Sequence, residues 1–555
     1  MNSDTAWNMY VFRDGRRTFS GATLARDLAG AILSLFEPTA SRLQDRLIDV
    51  LLRAGEFECA LADAKLPASR DVAQITDALA EALVGGNGLN VTSEELLRKI
   101  PQNISAEMRV SPPEGFAYYA LHPLDYADMT TEMRLSSGTV CVVGIRSIGV
   151  TLSAIVAAAF RLRGIRTIRF NVRPTGHPYN RTMELSAEQR RLVSNGCSEG
   201  GEFVVVDEGP GMSGSSFLSV GEALEEAGAP VEKITFLCSR TPDPDGLRSS
   251  NGGERWRRFR ACYSRRNWRL PSGAQFYIGG GEWRSVLGND GELPATWTQM
   301  ERLKFLSEDR RLFLKFEGFG QYGSAVVERA NRIASAGFGP MPLDSTQGFA
   351  FYETVSGTPA TKRQLSWDDI DRIAAYCAFR TTAFRCEGIE STDLLETMVQ
   401  FNIAQEFGAE GVIPEGILGS RYPVLVDGRM SPHEWIVAPD GKLIKTDNAS
   451  HGDDHFFPGP TDIAWDLAGT MVEWNMDEQA SDLLISEYQR LSGDNPRERI
   501  GSFLLAYSVF RLAYCKMAAA ALGGTAEEDI LMRAYRYYRA AARSRLGREM
   551  DPMPA

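Results

Sequence analysis

Cysteine is sparse in this 555-residue chain and histidine sparser: eight cysteines, no C-x-x-C pair, and five histidines. Scattered single cysteines supply neither a disulfide framework nor a structural zinc site, and such usage fits a reducing compartment. Positive charge is outweighed, with 60 Lys and Arg against 72 Asp and Glu. A net charge of −12 argues against non-specific nucleic-acid or anionic-membrane binding as the main activity. Long apolar runs are missing too. The run 150–160 is too short for a bilayer span and reads as a core helix. Met1-Asn2-Ser3-Asp4 has neither the basic nor the apolar region of a secretory leader. A cytoplasmic location is therefore expected, without membrane or nucleic-acid partners. With 43% hydrophobic and 24% charged residues, this length predicts two or three domains, each with its own core.

The most informative stretch is Phe203-Val204-Val205-Val206-Asp207-Glu208, followed by Gly209-Pro210-Gly211-Met212-Ser213-Gly214-Ser215-Ser216. Four apolar residues predict a buried parallel strand, and two acids stand at its C-terminal end, where open α/β sheets place ligands. Small residues in the loop let backbone N–H groups close on an anion, and the next run, 217–227, predicts a helix whose N-terminus favours negative charge. The hydroxyls of Ser213, Ser215 and Ser216 can donate to the same oxygens. Carboxylates beside such a site can accept from vicinal hydroxyls. A phosphate next to a diol is a ribose 5-phosphate.

This stretch resembles the PRPP-binding signature of type I phosphoribosyltransferases, with a loop one residue longer than the usual spacing. Its surroundings follow the same order. A second buried strand, Val140-Cys141-Val142-Val143, ends in Gly144-Ile145-Arg146-Ser147-Ile148-Gly149, where the family's pyrophosphate loop stands. A third strand, 167–173, leads into a long polar segment to 201 containing Arg173, His177, Tyr179 and Arg181. The resemblance implies that this segment is a flexible loop closing over the transition state. It also implies that Asp207 and Glu208 hold the ribose hydroxyls of Mg²⁺-PRPP, that residues 211–216 hold its 5-phosphate, and that Mg²⁺ and Arg146 neutralise the leaving pyrophosphate. The aromatic stretch 115–123 reads as an edge strand, or as a wall for a base-like acceptor.

From about 305 the character changes. A strand with a central lysine, Lys315, precedes a helical run, 324–336, that carries Glu328. Further on, Pro423-Val424-Leu425-Val426-Asp427-Gly428-Arg429 leads to Pro432-His433-Glu434-Trp435, a Pro439-Asp440-Gly441 turn, and Lys445-Thr446-Asp447-Asn448. Thr461-Asp462-Ile463-Ala464-Trp465-Asp466-Leu467-Ala468 follows. Together these resemble the aminoglycoside- and choline-kinase-like phosphotransferases. The resemblance implies that Lys315 holds ATP phosphates and is oriented by Glu328, that Asp447 binds metal, and that Asp466 braces the catalytic loop. It places a catalytic base in the loop, with Asp427 the candidate if the loop is long. There is no His-Gly-Asp, and the family's metal-binding Asn falls on Pro432, His433, Glu434 or Trp435. His451, Asp453, Asp454 and His455 offer a metal cluster or a solvated loop.

The expected fold is α/β: a helical extension (1–110), a phosphoribosyltransferase-like parallel-sheet domain (111–275), a linker (276–300) and a bilobal, protein-kinase-like α+β domain (301–555). The expected activity is Mg²⁺-dependent transfer of ribose 5-phosphate from PRPP to a base-like acceptor, fused to a module that phosphorylates the resulting nucleotide or a related small molecule with ATP. Two alternatives stand beside it: a nucleotide-sensing regulator with degenerate catalytic domains, and a small-molecule kinase whose N-terminal half only binds substrate. Oligomeric state is open.

Overall fold

Ser20 accepts the N–H of Thr23 and so opens α1 (Gly21–Leu35), which α2 (Leu43–Asp63) and α3 (Ser69–Gly85) follow. The structure is a computed structural model describing residues 9–11, 17–37, 42–102, 104–136, 138–264, 269–287, 294–360, 365–386, 394–408, 416, 418–420, 423–454, 456–457 and 459–549. The first 110 residues are not wholly helical. Arg17–Ser20 (β1) pairs antiparallel with Glu107–Val110 (β2) and ties the two ends of this segment together. Residues 115–123 form no strand. A short helix, Glu114–Ala117, and a turn occupy them, and His122 caps the helix Pro123–Glu132.

The apolar runs then build a five-stranded, all-parallel sheet from β3 (Thr139–Ile145), β4 (Arg166–Val172), β7 (Glu202–Val206), β8 (Ile234–Cys238) and β9 (Arg260–Tyr263). β3 and β7 are buried along their whole length, as expected of strands covered on both faces. The spatial order is β4-β3-β7-β8-β9, so chain direction across the sheet reverses between β3 and β7. Ligand crevices of open α/β sheets lie at that point. α4 (Ile148–Leu162) follows β3, and α6 (Ser215–Glu226) follows β7. The segment read as a long loop after β4 is ordered instead. It forms a hairpin, β5 (Thr175–His177) with β6 (Asn180–Thr182), and then α5 (Ala187–Ser198), opened by a Ser186/Gln189 capping box.

The last part builds an antiparallel sheet in the order β10-β11-β12-β14-β13, from Phe276–Tyr277, Lys304–Leu306, Leu312–Phe316, Phe349–Glu353 and Pro342–Thr346. The linker expected at 276–300 therefore belongs to this module, since β10 is its edge strand. α7 (Gln321–Ser335) packs on the sheet, and after Thr358–Pro359 (β15) the chain enters a helical lobe of α8 (Trp367–Ala383), α9 (Leu394–Phe407), α10 (Ala464–Glu473), α11 (Glu478–Ser492), α12 (Ile500–Ala521) and α13 (Ala526–Glu549). Two short strands, β16 (Trp435–Val437) and β17 (Leu443–Lys445), form a ribbon with β15 where the sheet meets the helices. α12 is long and apolar enough to cross a membrane, but 78% of its apolar window is buried, and it packs against α9, α10 and α13. One core joins the N-terminal helices, one face of the parallel sheet, and Leu314, Phe316 and Phe349 of the antiparallel sheet.

Candidate functional site

A cavity of about 470 Å³ opens between the antiparallel sheet and the helical lobe. Ile278, Leu306, Phe313 and Tyr352 line it from the sheet, Ile436 from the ribbon, and the connection Glu353 to Gly357 closes one side. Two lysines define the polar end. Lys304 and Lys315 are directly opposite in the β11–β12 register, which puts both ammonium groups on one face. Like charges so placed repel, and Asp447 answers both. Its Oδ1 accepts from Lys315, and its Oδ2 lies 3.1 Å from Lys304 Nζ. Lys315 also donates to Ser450 Oγ (2.6 Å) and lies 3.2 Å from Glu317 Oε1. Burial opposes the charge on Asp447, but Lys315, Lys304 and His451 hold it well below the usual carboxylate range. Asp447 has φ of +49°, a backbone state uncommon outside glycine, kept by these surroundings.

Mg²⁺ is commonly held by one or two carboxylates together with substrate phosphates. The donor set fits: Asp447 is a buried, ionised carboxylate on the cavity wall, next to two ammonium groups that phosphate oxygens would take over.

The other expected partners fall elsewhere. Glu328 is exposed on α7 and does not orient Lys315; its neighbour Arg329 faces inward, with Nε 2.9 Å from the Ala449 carbonyl. The lysine is instead paired with Glu317, the residue just past the end of its own strand. Asp427 is 1% exposed and lies behind the cavity wall. Tyr376 donates to its Oδ2 at 2.5 Å, and Lys445 Nζ stands 3.5 Å from its Oδ1. Burial alone would raise Asp427, but Lys445 chiefly, with His451 and Arg380, brings it to about 2. The Asp466 carboxylate accepts the backbone N–H groups of Asp427 (2.8 Å) and Gly428 (2.9 Å), fixing the loop from below. Burial keeps Asp466 raised, to about 6. A base must reach substrate. The side chains that do face the cavity from this region are Arg429, Ser431, His433 and Glu434, with Arg511 from α12.

Among the described residues, Asp427, Glu434 and His451 bring acid and imidazole atoms within 4.8 Å of one another, close enough to share an ion. An ammonium already stands there: Lys445 Nζ is 2.9 Å from Glu434 Oε2 and donates to the Thr446 carbonyl. The cluster expected around His451 is thus rearranged, with His451 facing Asp427 and Asp447. His455 and the Asp453 side chain lie outside the described residues. Lys304, Arg429 and Lys445 carry no role in the sequence reading, and Glu434 stands there only as one of four places for the family's metal-binding Asn. Lys304 had a usable signal, because strand alternation about a turn at 308–310 places it on the face of Lys315.

The residues read as a PRPP site gather at the switch point of the parallel sheet. Gly149 comes so close to β7 that a Cβ there would meet the Val206 carbonyl at 2.7 Å. Gly144 ends the buried part of β3 with Ile145, and Ser147 next to them has φ of +114°, strained for a non-glycine residue. Asp207 and Glu208 are raised by burial to about 7 and about 8. Glu208 accepts the Gly115 N–H (3.0 Å). The Gly/Ser loop is engaged: Ser213 and Ser215 hydroxyls both donate to the Pro178 carbonyl, at 2.9 and 2.6 Å. Gly214 turns the chain at φ of +68° into α6, which Ser216 continues, while Gly211 and Met212 are exposed. Of the hairpin residues, His177 and Tyr179 set their rings against one another at a tilt of 43°, and Arg181 reaches the Pro174 carbonyl (3.4 Å). Arg146 and Arg173 converge on one carboxylate, Asp63 at the end of α2. Arg146 Nη1 and Arg173 Nε both lie 3.1 Å from its Oδ1.

No family model matches the chain, and no curated protein matches it. Among solved structures it is similar to the choline kinase LicA from Streptococcus pneumoniae, at 16% identity and a TM-score of 0.32, over 47% of this chain and 96% of that one. It is similar to a choline/ethanolamine kinase family protein from Mesorhizobium loti (13%, TM-score 0.30, 45% and 89%). It is also similar to the macrolide 2'-phosphotransferase MphH from Brachybacterium faecium (16%, TM-score 0.30, 46% and 89%). The likeness to phosphoribosyltransferases drawn from residues 203–217 has no counterpart among these. Resemblance at this level leaves function to be argued from the side chains.

Proposed function

We propose that the chain binds a Mg²⁺–nucleoside triphosphate in the cavity between the antiparallel sheet and the helical lobe, and is a phosphotransferase acting on a small molecule. One observation carries this reading. Lys304 and Lys315, opposed across two strands and bridged by a strongly ionised Asp447, stand at the polar end of a cavity with apolar walls. The apolar part suits a base, and the two ammonium groups suit the phosphates. Asp447 would hold Mg²⁺, which on binding neutralises charge between phosphate oxygens. Phosphoryl transfer rests mainly on positioning and electrostatic stabilisation. Arg429 and Arg511 supply positive charge where the family's base is expected, and Asp427 serves as an internal brace that touches no substrate. The test is calorimetric titration of Mg²⁺-ATP into the full chain. Lys315→Met should weaken binding at least 10-fold, and an unchanged affinity would remove the basis of the reading.

A second reading keeps the ribose 5-phosphate site, and the strand order favours it: the loops 144–149 and 207–216 meet at the switch point of a parallel sheet. Occupation by PRPP requires the Pro178 carbonyl to leave Ser213 and Ser215, so the β5–β6 hairpin must lift. Titration of Mg²⁺-PRPP tests it, with Asp207→Asn/Glu208→Gln as the variant that should not bind. No heat from the wild type would end it.

A further inference from the structure

A neutral hydroxyl that accepts a phosphoryl group has a proton to lose, and a base must stand within reach to take it. Among the described residues, the acidic side chains on the wall of the cavity between the antiparallel sheet and the helical lobe are Glu301, Glu317, Glu353, Glu434 and Asp447. Four of them are already engaged. Asp447 lies between Lys304 and Lys315, Glu317 is 3.2 Å from Lys315, and Glu434 is 2.9 Å from Lys445. Glu301 accepts from Trp283 Nε1 (2.9 Å), Thr296 Oγ1 (2.8 Å) and the Gly281 N–H (3.1 Å). Burial works against the charge on Glu301, but Lys304 and these donors hold it below the usual carboxylate range, which makes it a weak base. Glu353 pairs with Leu312, three residues and about 10 Å along β12 from Lys315. His433 also lines the cavity, its ring flat on Trp283 (5.2 Å between centres, 6° between planes), and burial lowers it to about 4. An imidazole of that value takes a proton poorly.

Arg429 lines the same cavity with its charge unanswered. It is half-buried, and among the described residues its guanidinium has no hydrogen bond and no ion pair. Burial works against its charge; Tyr514, Glu434 and Asp454 support that charge and Arg511 opposes it. Arg511 lines the cavity too. Glu473 (3.3 Å from Nε) and Tyr538 OH (3.2 Å from Nη2) hold it, and its Nη1 has no partner among the described residues. Lys304 feels the charge of Arg429, which places that arginine towards the phosphate end. A guanidinium is a rigid fork that meets two carboxylate or phosphate oxygens at once. Two of them on a wall whose acids are taken favour an acceptor that arrives already ionised.

We propose that the second substrate of this cavity is a small anion, a carboxylate or a phosphate, held by Arg429 and Arg511 and phosphorylated directly on its charged oxygen. The proposal rests on the reading of the cavity as a Mg²⁺–nucleoside triphosphate site. The step needs no base. An oxygen of the ionised acceptor forms a bond to the γ-phosphorus while the bond from that phosphorus to the bridging oxygen breaks. The electron pair of the broken bond leaves with the nucleoside diphosphate, and no proton moves. A carboxylate gives an acyl phosphate, and a phosphate gives a phosphoanhydride.

The test is calorimetric titration of the full chain saturated with Mg²⁺ and a non-hydrolysable ATP analogue, whose own binding is measured first. Acetate, inorganic phosphate, glycerol and choline are then titrated separately. Acetate or phosphate should bind, and the tighter of the two names the acceptor group; glycerol and choline should not bind. Arg429→Gln should weaken the anion at least 10-fold. Arg429→Lys, which keeps the charge but not the fork, should weaken it less. Arg429 holds no partner among the described residues, so neither variant strands a charge, and circular dichroism checks that both fold. If the analogue does not bind, the reading of the cavity falls and this proposal falls with it. If the analogue binds and neither anion does, only this proposal falls. Glycerol or choline binding in place of the anions overturns it too, as does anion binding that folded Arg429→Gln retains in full.

Discussion

Lys445 shows how much one side chain decides. Its ammonium is fully buried between Asp427 and Glu434, and those two charges raise it against the pull of burial. Removing one partner of a buried ion pair strands the other. Lys445→Met should therefore cost about 3–5 kcal/mol in chemical denaturation. Adding Asp427→Asn and Glu434→Gln should restore much of that loss; no recovery would mean that lysine packing, not charge, is what matters. Asp207 and Glu208 behave with the opposite sign. Both are raised in the folded chain, so between the unfolded value and about pH 8 the native state holds protons that the unfolded chain has released. Stability falls as pH rises through that window. Asp207→Asn/Glu208→Gln should therefore raise the melting temperature at pH 8, by a margin worth about 2–4 kcal/mol, and change little at pH 4. A variant less stable than wild type at pH 8 would show that the carboxylates are structural.

At the level of elements, apolar runs were legible and segment edges were not. Val140 to Val143 and Phe203 to Val206 announce buried parallel strands because β-branched runs of that length have few other uses. The C-terminal ends of those strands therefore also located the switch-point loops. The stretch 183–200 reads as a polar loop because α5 buries only Val193 and Gly196 and presents little apolar stripe. The face of Glu328 is unreadable for a similar reason. Helical spacing fixes the face of a residue only once the register of the helix against the sheet is known, and here Arg329 faces inward. The loop 427–434 was opaque because the roles there depend on which side chains turn to the cavity. Asp427 turns away and Arg429 turns in. If Arg429 helps to hold phosphate, Arg429→Ala should weaken Mg²⁺-ATP binding several-fold while Asp427→Asn chiefly lowers stability. The reverse pattern in titration and melting would return Asp427 to the site.

Across the whole molecule, α2 is an element that touches both sheets. Glu58 makes a buried pair with Arg169 of the parallel sheet, while Asp45 accepts from Thr346 and Gln347 of the antiparallel one. The same helix ends at Asp63, whose carboxylate lies on Arg146 and Arg173, the arginines flanking the switch-point crevice. A carboxylate between two guanidinium groups stands where a phosphate group of an incoming ligand would stand. The pairs are about one-third exposed on the side of Asp63 and Arg173, so they add only about 0–1 kcal/mol to stability, and the chain should tolerate their loss. Asp63→Ala should therefore fold normally and bind inorganic pyrophosphate at least 10-fold more tightly than wild type, with an affinity that falls as salt rises. If the folded variant gains no affinity, the two arginines serve only to fasten α2, and the crevice is no anion site. If it does, the N-terminal helices are the part of the chain that decides when the crevice is open.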